Sequence, residues 1–183
     1  MRKTHIVFPL LMALVTAAPL VAQVGGREPL NEKEIDELRE VAQEPEKRLK
    51  LMIQYARARL ETIEQLRGDA RFAADRGDRI HDLLEDFTKL VDEIGDNIDD
   101  YADRKADLRK ALKPVIEGDT EFQLKLRTLK EQGAGAGGKA SETSDYSFVL
   151  QSAIDAVNAS LDDSRKLLAE QEVAFKEEKK KKK

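Results

Sequence analysis

Residues 78–132 decide the fold, and they read DRIHDLLEDFTKLVDEIGDNIDDYADRKADLRKALKPVIEGDTEFQLKLRTLKEQ. Within this stretch an apolar residue recurs at every seventh position without a miss. The series is Ile80, Phe87, Ile94, Tyr101, Leu108, Val115, Phe122 and Leu129. Apolar residues at this spacing line one side of an α-helix and pack against neighbouring helices. The stretch therefore predicts that helix–helix packing organises the chain.

A second series follows four residues behind the first, and together the two series form what we call the heptad seam. Its members are Leu84, Val91, Ile98, Lys105, Leu112, Asp119 and Leu126. The polar members, Lys105 and Asp119, are predicted to lie at the seam's edge or to form polar layers. Pro114 and Gly118 are residue types that bend or break helices. Because the seven-residue phase continues past both, we predict one kinked helix from Asp78 to Gln132.

Two further helices are predicted, one on each side of this stretch. The first covers Asn31–Arg67 and starts with the capping-box pair Asn31 and Glu34. Pro45 interrupts it, either as a kink or as the first residue of a new helix. The last covers Ser144–Glu178 and has an apolar stripe at helical spacing.

The expected fold class is all-α. We predict an elongated, coiled-coil-like, antiparallel three-helix bundle over residues 31–178, with kinks near Pro45 and Pro114. Three long helices of similar reach cover one another better than four of unequal length. A four-helix bundle broken at Gly118 is the alternative.

The first 22 residues are typical of a secretory signal peptide. Two basic residues precede the apolar segment Ile6–Val15, and small residues follow it up to Ala22. We predict cleavage at about Ala22/Gln23, then a flexible lead-in over residues 23–30. The protein is thus expected to be exported to the periplasm or the extracellular space and to be soluble there. The chain has no Cys, which excludes disulfides and an anchor on an N-terminal Cys.

The charge of the chain is unevenly distributed. Without the predicted signal, 30 basic residues face 36 acidic ones, and without Lys179 to Lys183 the numbers are 25 and 36. Nucleic acid is not expected as a partner, because an acidic body repels phosphates. The poly-Lys tail, residues 179–183, is interpreted either as a solubilising end or as an electrostatic contact with an anionic surface.

Two Arg-Gly-Asp tripeptides, Arg67–Asp69 and Arg76–Asp78, have the form of an integrin recognition sequence. Helix punctuation explains the same residues and is the interpretation we favour. Arg suits a helix C-terminus, Gly a left-handed stop and Asp the cap of the next helix. A short helix around Phe72 is then expected between the tripeptides.

No residue pattern in the chain indicates catalysis. The Gly-rich segment 133–143 partly matches phosphate-binding loops, but no strand precedes it and Ala140 replaces the magnesium-binding Ser or Thr. It is predicted to be an interhelical linker. His81 is the one histidine after residue 22, too few for a two-metal site, a zinc site or a triad. We assign no catalytic, cofactor-binding or metal-binding residue and expect no enzyme.

An acidic row follows the middle of the organising stretch. It consists of Asp92, Asp96, Asp99, Asp103 and Asp107, with Glu93 and Asp100 beside it. Its spacing predicts one helix face, where like charges destabilise the helix by a few tenths of a kcal/mol per pair. The expected compensation is solvation of the row or ion pairing with basic residues, namely Lys47, Arg48, Lys50, Arg57, Arg59, Arg104 and Arg109. A basic partner surface and weak divalent-cation binding are the alternatives, although a straight helix cannot wrap a calcium ion.

These features favour an exported, non-enzymatic structural or interaction protein of the bacterial envelope. Its expected partner is another protein or an envelope component, and a homo-oligomer is compatible with the long seams. A periplasmic holdase-like chaperone is the alternative, and it requires an exposed apolar surface. A helical protein that binds divalent cations weakly is the third hypothesis.

Overall fold

A computed structural model describes residues 27–134 and 140–181, and all regular structure in these residues is helical. The α-helices are α1 (Glu32–Glu40), α2 (Pro45–Gly68), α3 (Arg76–Asp103), α4 (Leu112–Ala134) and α5 (Ala140–Lys181). A 3-10 turn, Ala70–Phe72, joins α2 to α3, where a short helix is predicted. The all-α class is confirmed for this part of the chain.

The prediction of one kinked helix over Asp78–Gln132 is wrong. α3 ends at Asp103, residues 104–111 form a turn, and α4 begins at Leu112. Lys105, a polar member of the heptad seam, lies in this turn with a φ of 59°. That value is in the left-handed region, which non-glycine residues seldom adopt. The turn therefore falls where the seam is polar.

The seven-residue phase nevertheless continues through the turn. Tyr101 before it, Leu108 within it and Val115 after it are all buried. In one straight helix Phe87 and Phe122 would be about 50 Å apart, but their ring centroids are 5.3 Å apart. A heptad spacing thus identifies the buried residues without indicating the direction of the chain.

Pro114 and Gly118 have other roles than those predicted. Pro114 lies in the first turn of α4, where its missing N–H removes no intrahelical hydrogen bond. Gly118 lies inside α4, and a Cβ there would come within 2.8 Å of the Ile53 side chain. The residues predicted to kink or break the helix instead help to start it and to bring it close to α2.

The first predicted helix is two helices rather than one kinked near Pro45. α1 ends at Glu40, and Pro45 is the first residue of α2. The capping box is confirmed. The Asn31 side chain accepts a hydrogen bond from the Glu34 N–H at 3.0 Å, and the Glu34 carboxylate accepts one from the Asn31 N–H at 2.9 Å. Arg59 of α2 also reaches Glu34, so α1 folds back along α2.

The long helices form two antiparallel hairpins, α2 with α3 and α4 with α5. Hydrogen bonds across the hairpins join Arg48 to Asn97, Arg76 to the Leu66 carbonyl, Gln123 to Asn158, and Lys130 to Gln151. In each hairpin, one residue number rises as the other falls. Both hairpins therefore close through short connections, as in helix bundles.

The two hairpins pack so that parallel helices lie side by side. Along α2 and α4, Arg57 is 2.8 Å from Glu121 and Lys125 is 2.8 Å from Glu64. Both residue numbers rise together, so these helices are parallel. α3 also contacts α5, and both run towards the turn at residues 104–111. The packing is bundle-like, but the fully antiparallel arrangement that was predicted is wrong.

The core of the bundle is the heptad seam together with the inner faces of α2 and α5. Every apolar member of both series in the seam is buried. α2 and α5 add Leu49, Met52, Ile53, Ala56, Leu60, Ile63, Leu66, Leu150, Ala153, Val157 and Leu161. Burial of each large apolar side chain contributes about 1.5–3 kcal/mol, so this packing is the main stabilising term.

The N-terminal predictions concern residues at the edge of the described chain. The signal peptide, residues 1–22, and residues 23–26 lie outside the described residues. Arg27–Leu30, the rest of the predicted lead-in, contact the bundle. Arg59 donates to the Pro29 carbonyl at 2.7 Å, and Lys89 donates to the Arg27 carbonyl at 2.9 Å.

The Gly-rich segment and the Lys tail are also only partly described. α4 extends to Ala134 and α5 begins at Ala140, so both helices enter the predicted linker 133–143. Residues 135–139 and 182–183 lie outside the described residues. α5 includes the first three lysines of the predicted tail.

Candidate interaction surfaces

The acidic row is shorter than predicted. Asp92, Asp96, Asp99 and Asp103 are exposed in the last three turns of α3. Asp107 belongs to the turn that follows, where its carboxylate accepts hydrogen bonds from Arg109. This contact lowers the pKa of Asp107 to about 2. The one-face row of five residues is therefore corrected to the four on α3, which we call the acidic row below.

The basic residues of α2 do not compensate the acidic row as predicted. Lys47 pairs with Glu44, Arg57 with Glu121 and Arg59 with Glu34, and Arg48 bonds Asn97 and the Leu38 carbonyl. The nearby arginines do pair locally, Arg104 with Asp100 and Arg109 with Asp107. Within the described residues, none of the four carboxylates of the acidic row has an ion-pair partner.

Repulsion between neighbouring carboxylates contributes to the pKa shift of Asp92, the first residue of the row. Partial burial raises the pKa of Asp92, and the neighbouring charge of Asp96 raises it further. Both effects disfavour the charged form of a carboxyl group. A positive group placed beside these residues would therefore gain interaction energy with charges that the fold leaves unbalanced.

A groove of about 350 Å³ lies between α3 and α5, and Asp99 of the acidic row lines it. Its lining includes residues with small or no side chains, Gly95, Ala102, Ser160 and Ser164. A Cβ added at Gly95 would meet nothing within 4 Å, so the groove is open there. Carboxylates lie on both sides, Asp99 on α3 and Asp163 and Glu170 on α5, and Lys166 is the basic residue among the lining residues. We call this feature the acidic groove.

A buried carboxyl group lies inside the bundle at the second polar position of the seam. Asp119 is fully buried, and its Oδ2 accepts a hydrogen bond from the Ser160 hydroxyl at 2.8 Å. Its Oδ1 has no hydrogen-bond partner. Burial raises the pKa of Asp119 to about 6, and the Ser160 hydrogen bond opposes this only in part. Asp119 thus forms the predicted polar layer, whereas Lys105 is exposed in the turn.

A second group of buried polar residues joins the N-terminal segment to α2 and α3. Burial opposes ionisation of Glu34, but hydrogen bonds from Arg59 and Asn31 outweigh it and lower its pKa. Asp86 is 3% exposed and lies 3.0 Å from Arg27. Burial raises the pKa of Asp86 despite this contact. Sequence spacing does not indicate this group, because its members are far apart in the chain.

The two Arg-Gly-Asp tripeptides lie at helix ends, but their roles differ from those predicted. Gly68 ends α2 without the positive φ expected of a left-handed stop. Asp69 does cap the 3-10 turn, because its carboxylate accepts from the Arg71 N–H at 2.9 Å. α3 starts at Arg76, so Asp78 lies in its first turn and Asp75 precedes it. Arg76 donates to the Leu66 and Asp69 carbonyls at the end of α2.

His81 lies in the second turn of α3 and is partly exposed. Among the described residues, no group of three His, Asp or Glu side chains has a geometry that would hold a metal ion. The glycines that resemble a phosphate-binding loop are mostly within residues 135–139, outside the described chain.

Three large apolar side chains are exposed in the part of the chain that the structure describes: Leu124, Phe148 and Val173. Phe148 and Val173 are 25 positions apart on α5, which corresponds to about 37 Å. The contact between Gln123 and Asn158 places Leu124 at a third level of the bundle. The three side chains therefore do not form one continuous apolar patch.

None of the described helices combines the length and the apolar character needed to cross a bilayer. Comparison with protein-family models, with curated proteins and with solved structures finds no match to this chain. The interpretation of function therefore rests on the chain's own surfaces.

Proposed function

We propose that this protein is an exported, non-enzymatic interaction protein of the bacterial envelope. In this proposal its four long helices form a four-helix bundle, and the acidic groove between α3 and α5 binds a basic segment of a partner protein. Export rests on the pattern of residues 1–22. The interaction rests on the charges of the groove.

The observation that supports this function best is the unbalanced acidic row. Four exposed carboxylates follow one face of α3 without an ion-pair partner in the described chain, and one of them, Asp99, lines the groove together with Asp163 and Glu170 of α5. Like charges three and four residues apart cost a helix about 0.2–0.5 kcal/mol per pair. A basic ligand would turn each of these repulsions into an attraction.

The geometry fits an α-helix or an extended segment with several Lys or Arg residues. From Asp92 to Asp103 the row spans about 16 Å, or three helical turns. Small residues along the groove allow a partner backbone to approach closely, as they do between packed helices. Several dispersed charges favour recognition by electrostatic complementarity, which is weakened by salt.

Binding of a synthetic helical peptide with lysines along one face tests this proposal. We expect the variant with Asp96→Asn, Asp99→Asn and Asp103→Asn to bind the peptide about tenfold more weakly, and added salt to weaken binding by the unmodified chain. The matched control removes three exposed carboxylates elsewhere, by Glu61→Gln, Glu117→Gln and Glu131→Gln. Equal losses in both variants would show that net charge alone drives binding and would contradict a groove site.

The holdase-like chaperone remains the second candidate because Phe148 is 85% exposed. A holdase binds unfolded chains through exposed apolar surface, and three separate side chains offer little of it. Suppression of aggregation of a model client by the unmodified chain, lost on Phe148→Ser, would favour this function. Unchanged aggregation would exclude it.

A further inference from the structure

The turn between α3 and α4 and the end of α5 lie at the same end of the bundle. The Arg109 guanidinium is 3.5 Å from the centroid of the Phe175 ring, and the Lys179 ammonium is 4.7 Å from it. The Gln171 side chain accepts from the Leu108 N–H at 2.8 Å and donates to the Ala106 carbonyl at 3.0 Å. The last turns of α5 are thus fixed against the turn.

This contact brings lysines from two distant parts of the sequence to one end of the molecule. They are Lys105, Lys110, Lys113, Lys176, Lys179 and Lys180, which we call the basic end. All six are exposed, and none has an ion-pair partner within the described residues. The arginines beside them differ, since Arg104 pairs with Asp100 and Arg109 with Asp107.

From this juxtaposition we infer that the basic end docks on an anionic phospholipid surface, with the bundle axis pointing away from the membrane. Lysine ammonium groups are compact charges that suit a dispersed layer of lipid phosphates, whereas bidentate recognition uses arginine. Val173, 56% exposed and one helical turn before Lys176, adds an apolar contact near the same surface.

The acidic body favours this upright orientation. Without the last five lysines and the predicted signal, 25 basic residues face 36 acidic ones, so a bundle lying flat would be repelled. In the upright orientation Asp92 lies about 16 Å farther from the membrane than Asp103, beyond a Debye length of about 8–10 Å. The part of the acidic groove at Gly95 and Ser160 then points away from the membrane.

Co-sedimentation of the full chain with vesicles tests this inference. The probes are vesicles of phosphatidylcholine alone and vesicles that also contain phosphatidylglycerol, in low salt. We expect binding to the anionic vesicles only. Two triple variants are compared with the unmodified chain: Lys105→Gln, Lys110→Gln, Lys113→Gln in the turn and α4, and Lys176→Gln, Lys179→Gln, Lys180→Gln in α5. We expect each to bind the anionic vesicles at least about tenfold more weakly.

The control variant loses the same charge away from the basic end, by Lys33→Gln, Arg127→Gln and Lys130→Gln, and is expected to bind like the unmodified chain. Loss only in the α5 variant would overturn a surface formed by both elements. Equal binding to both vesicle types would assign attachment to apolar residues instead. Binding to single-stranded DNA but not to anionic vesicles would replace the lipid by another polyanion.

Discussion

Two buried acidic residues in this protein differ in what surrounds them, and the difference shows how burial and pairing compete. Glu34 and Asp119 are 8% and 0% exposed. Glu34 accepts hydrogen bonds from the Arg59 guanidinium at 2.9 and 2.6 Å and from the Asn31 N–H at 2.9 Å. Asp119 accepts one hydrogen bond, from Ser160. The pKa is lowered for Glu34 and raised to about 6 for Asp119.

The comparison also concerns stability: the ionised Glu34 carboxylate stabilises the fold, whereas ionisation of Asp119 destabilises it. A buried charge loses hydration, and it stabilises the native state only where partners replace the lost water contacts. Around Glu34, Arg59 of α2 and the Asn31 N–H before α1 provide such partners. Around Asp119, the Ser160 hydroxyl donates a hydrogen bond to Oδ2, and Oδ1 has no hydrogen-bond partner.

The largest effect is expected when the partner of Glu34 is removed. Arg59→Gln leaves a buried carboxylate without its charge partner and also removes the donor to the Pro29 carbonyl. We expect the free energy of unfolding, measured by urea denaturation, to fall by about 3 kcal/mol. Arg57→Gln is the matched control, because its pair with Glu121 is about one-third exposed, and a loss below about 1 kcal/mol is expected. Equal losses would contradict the distinction between buried and exposed pairs.

Replacement of Asp119 is expected to have a smaller effect of opposite sign, because ionisation of this buried carboxyl group destabilises the fold. Its pKa is about 6 in the folded state against an ordinary value of 3.8. Between these values the folded state binds more protons than the unfolded state, so stability falls as the pH rises from about 4 to 6 and then levels off. The loss is about 3 kcal/mol.

Asp119→Asn removes this ionisation. At pH 7 we expect the variant to be more stable by about 1–2 kcal/mol, because its buried amide leaves donors unpaired and offsets part of the gain. Near pH 4 the unmodified chain should be equally or more stable, so the two urea-unfolding curves of stability against pH should cross. Parallel curves would show that Asp119 does not ionise in this range.

The seam shows how much of the fold the sequence alone could predict. Burial of Ile80, Leu84 and Phe87 follows from spacing, because a helix must place residues three, four and seven positions apart on one side. The reversal at Lys105 does not follow, because Leu108 in the turn fills the next position of the heptad. The sequence does contain one indication of a turn here, namely the polar seam residue Lys105 with Asp107, a residue type common in turns, two positions after it.

The candidate surfaces were predicted only in part, for a different reason. The exposure of Asp96 and Asp99 follows from their place opposite the seam. Their lack of an ion-pair partner depends on which helix lies beside α3. That helix is α5, which packs parallel to α3, and the sequence alone does not predict this pairing. Likewise, nothing local in the sequence places Arg59 beside Glu34 or Ser160 beside Asp119, since 25 and 41 residues separate these pairs.

The smallest expected effect extends the comparison to exposed carboxylates. Asp96 has acidic residues three and four positions away on both sides, namely Glu93, Asp92, Asp99 and Asp100. Asp96→Asn removes repulsion without creating a buried group, so we expect a gain in unfolding free energy of about 0.5–1 kcal/mol. The pKa of Asp92, followed by NMR titration, should fall but stay above its ordinary value, because burial is the larger cause of its shift.

Glu117→Gln on α4 is the matched exposed control for Asp96→Asn. Lys113 lies four positions before Glu117 and Glu121 four positions after it, so attraction and repulsion offset each other and no gain is expected. Thermal melts of the unmodified chain with and without millimolar calcium test the cation hypothesis. An ion bound by the acidic row would raise the melting temperature. A gain from Glu117→Gln as large as that from Asp96→Asn would mean that overall charge, rather than the row itself, sets the penalty.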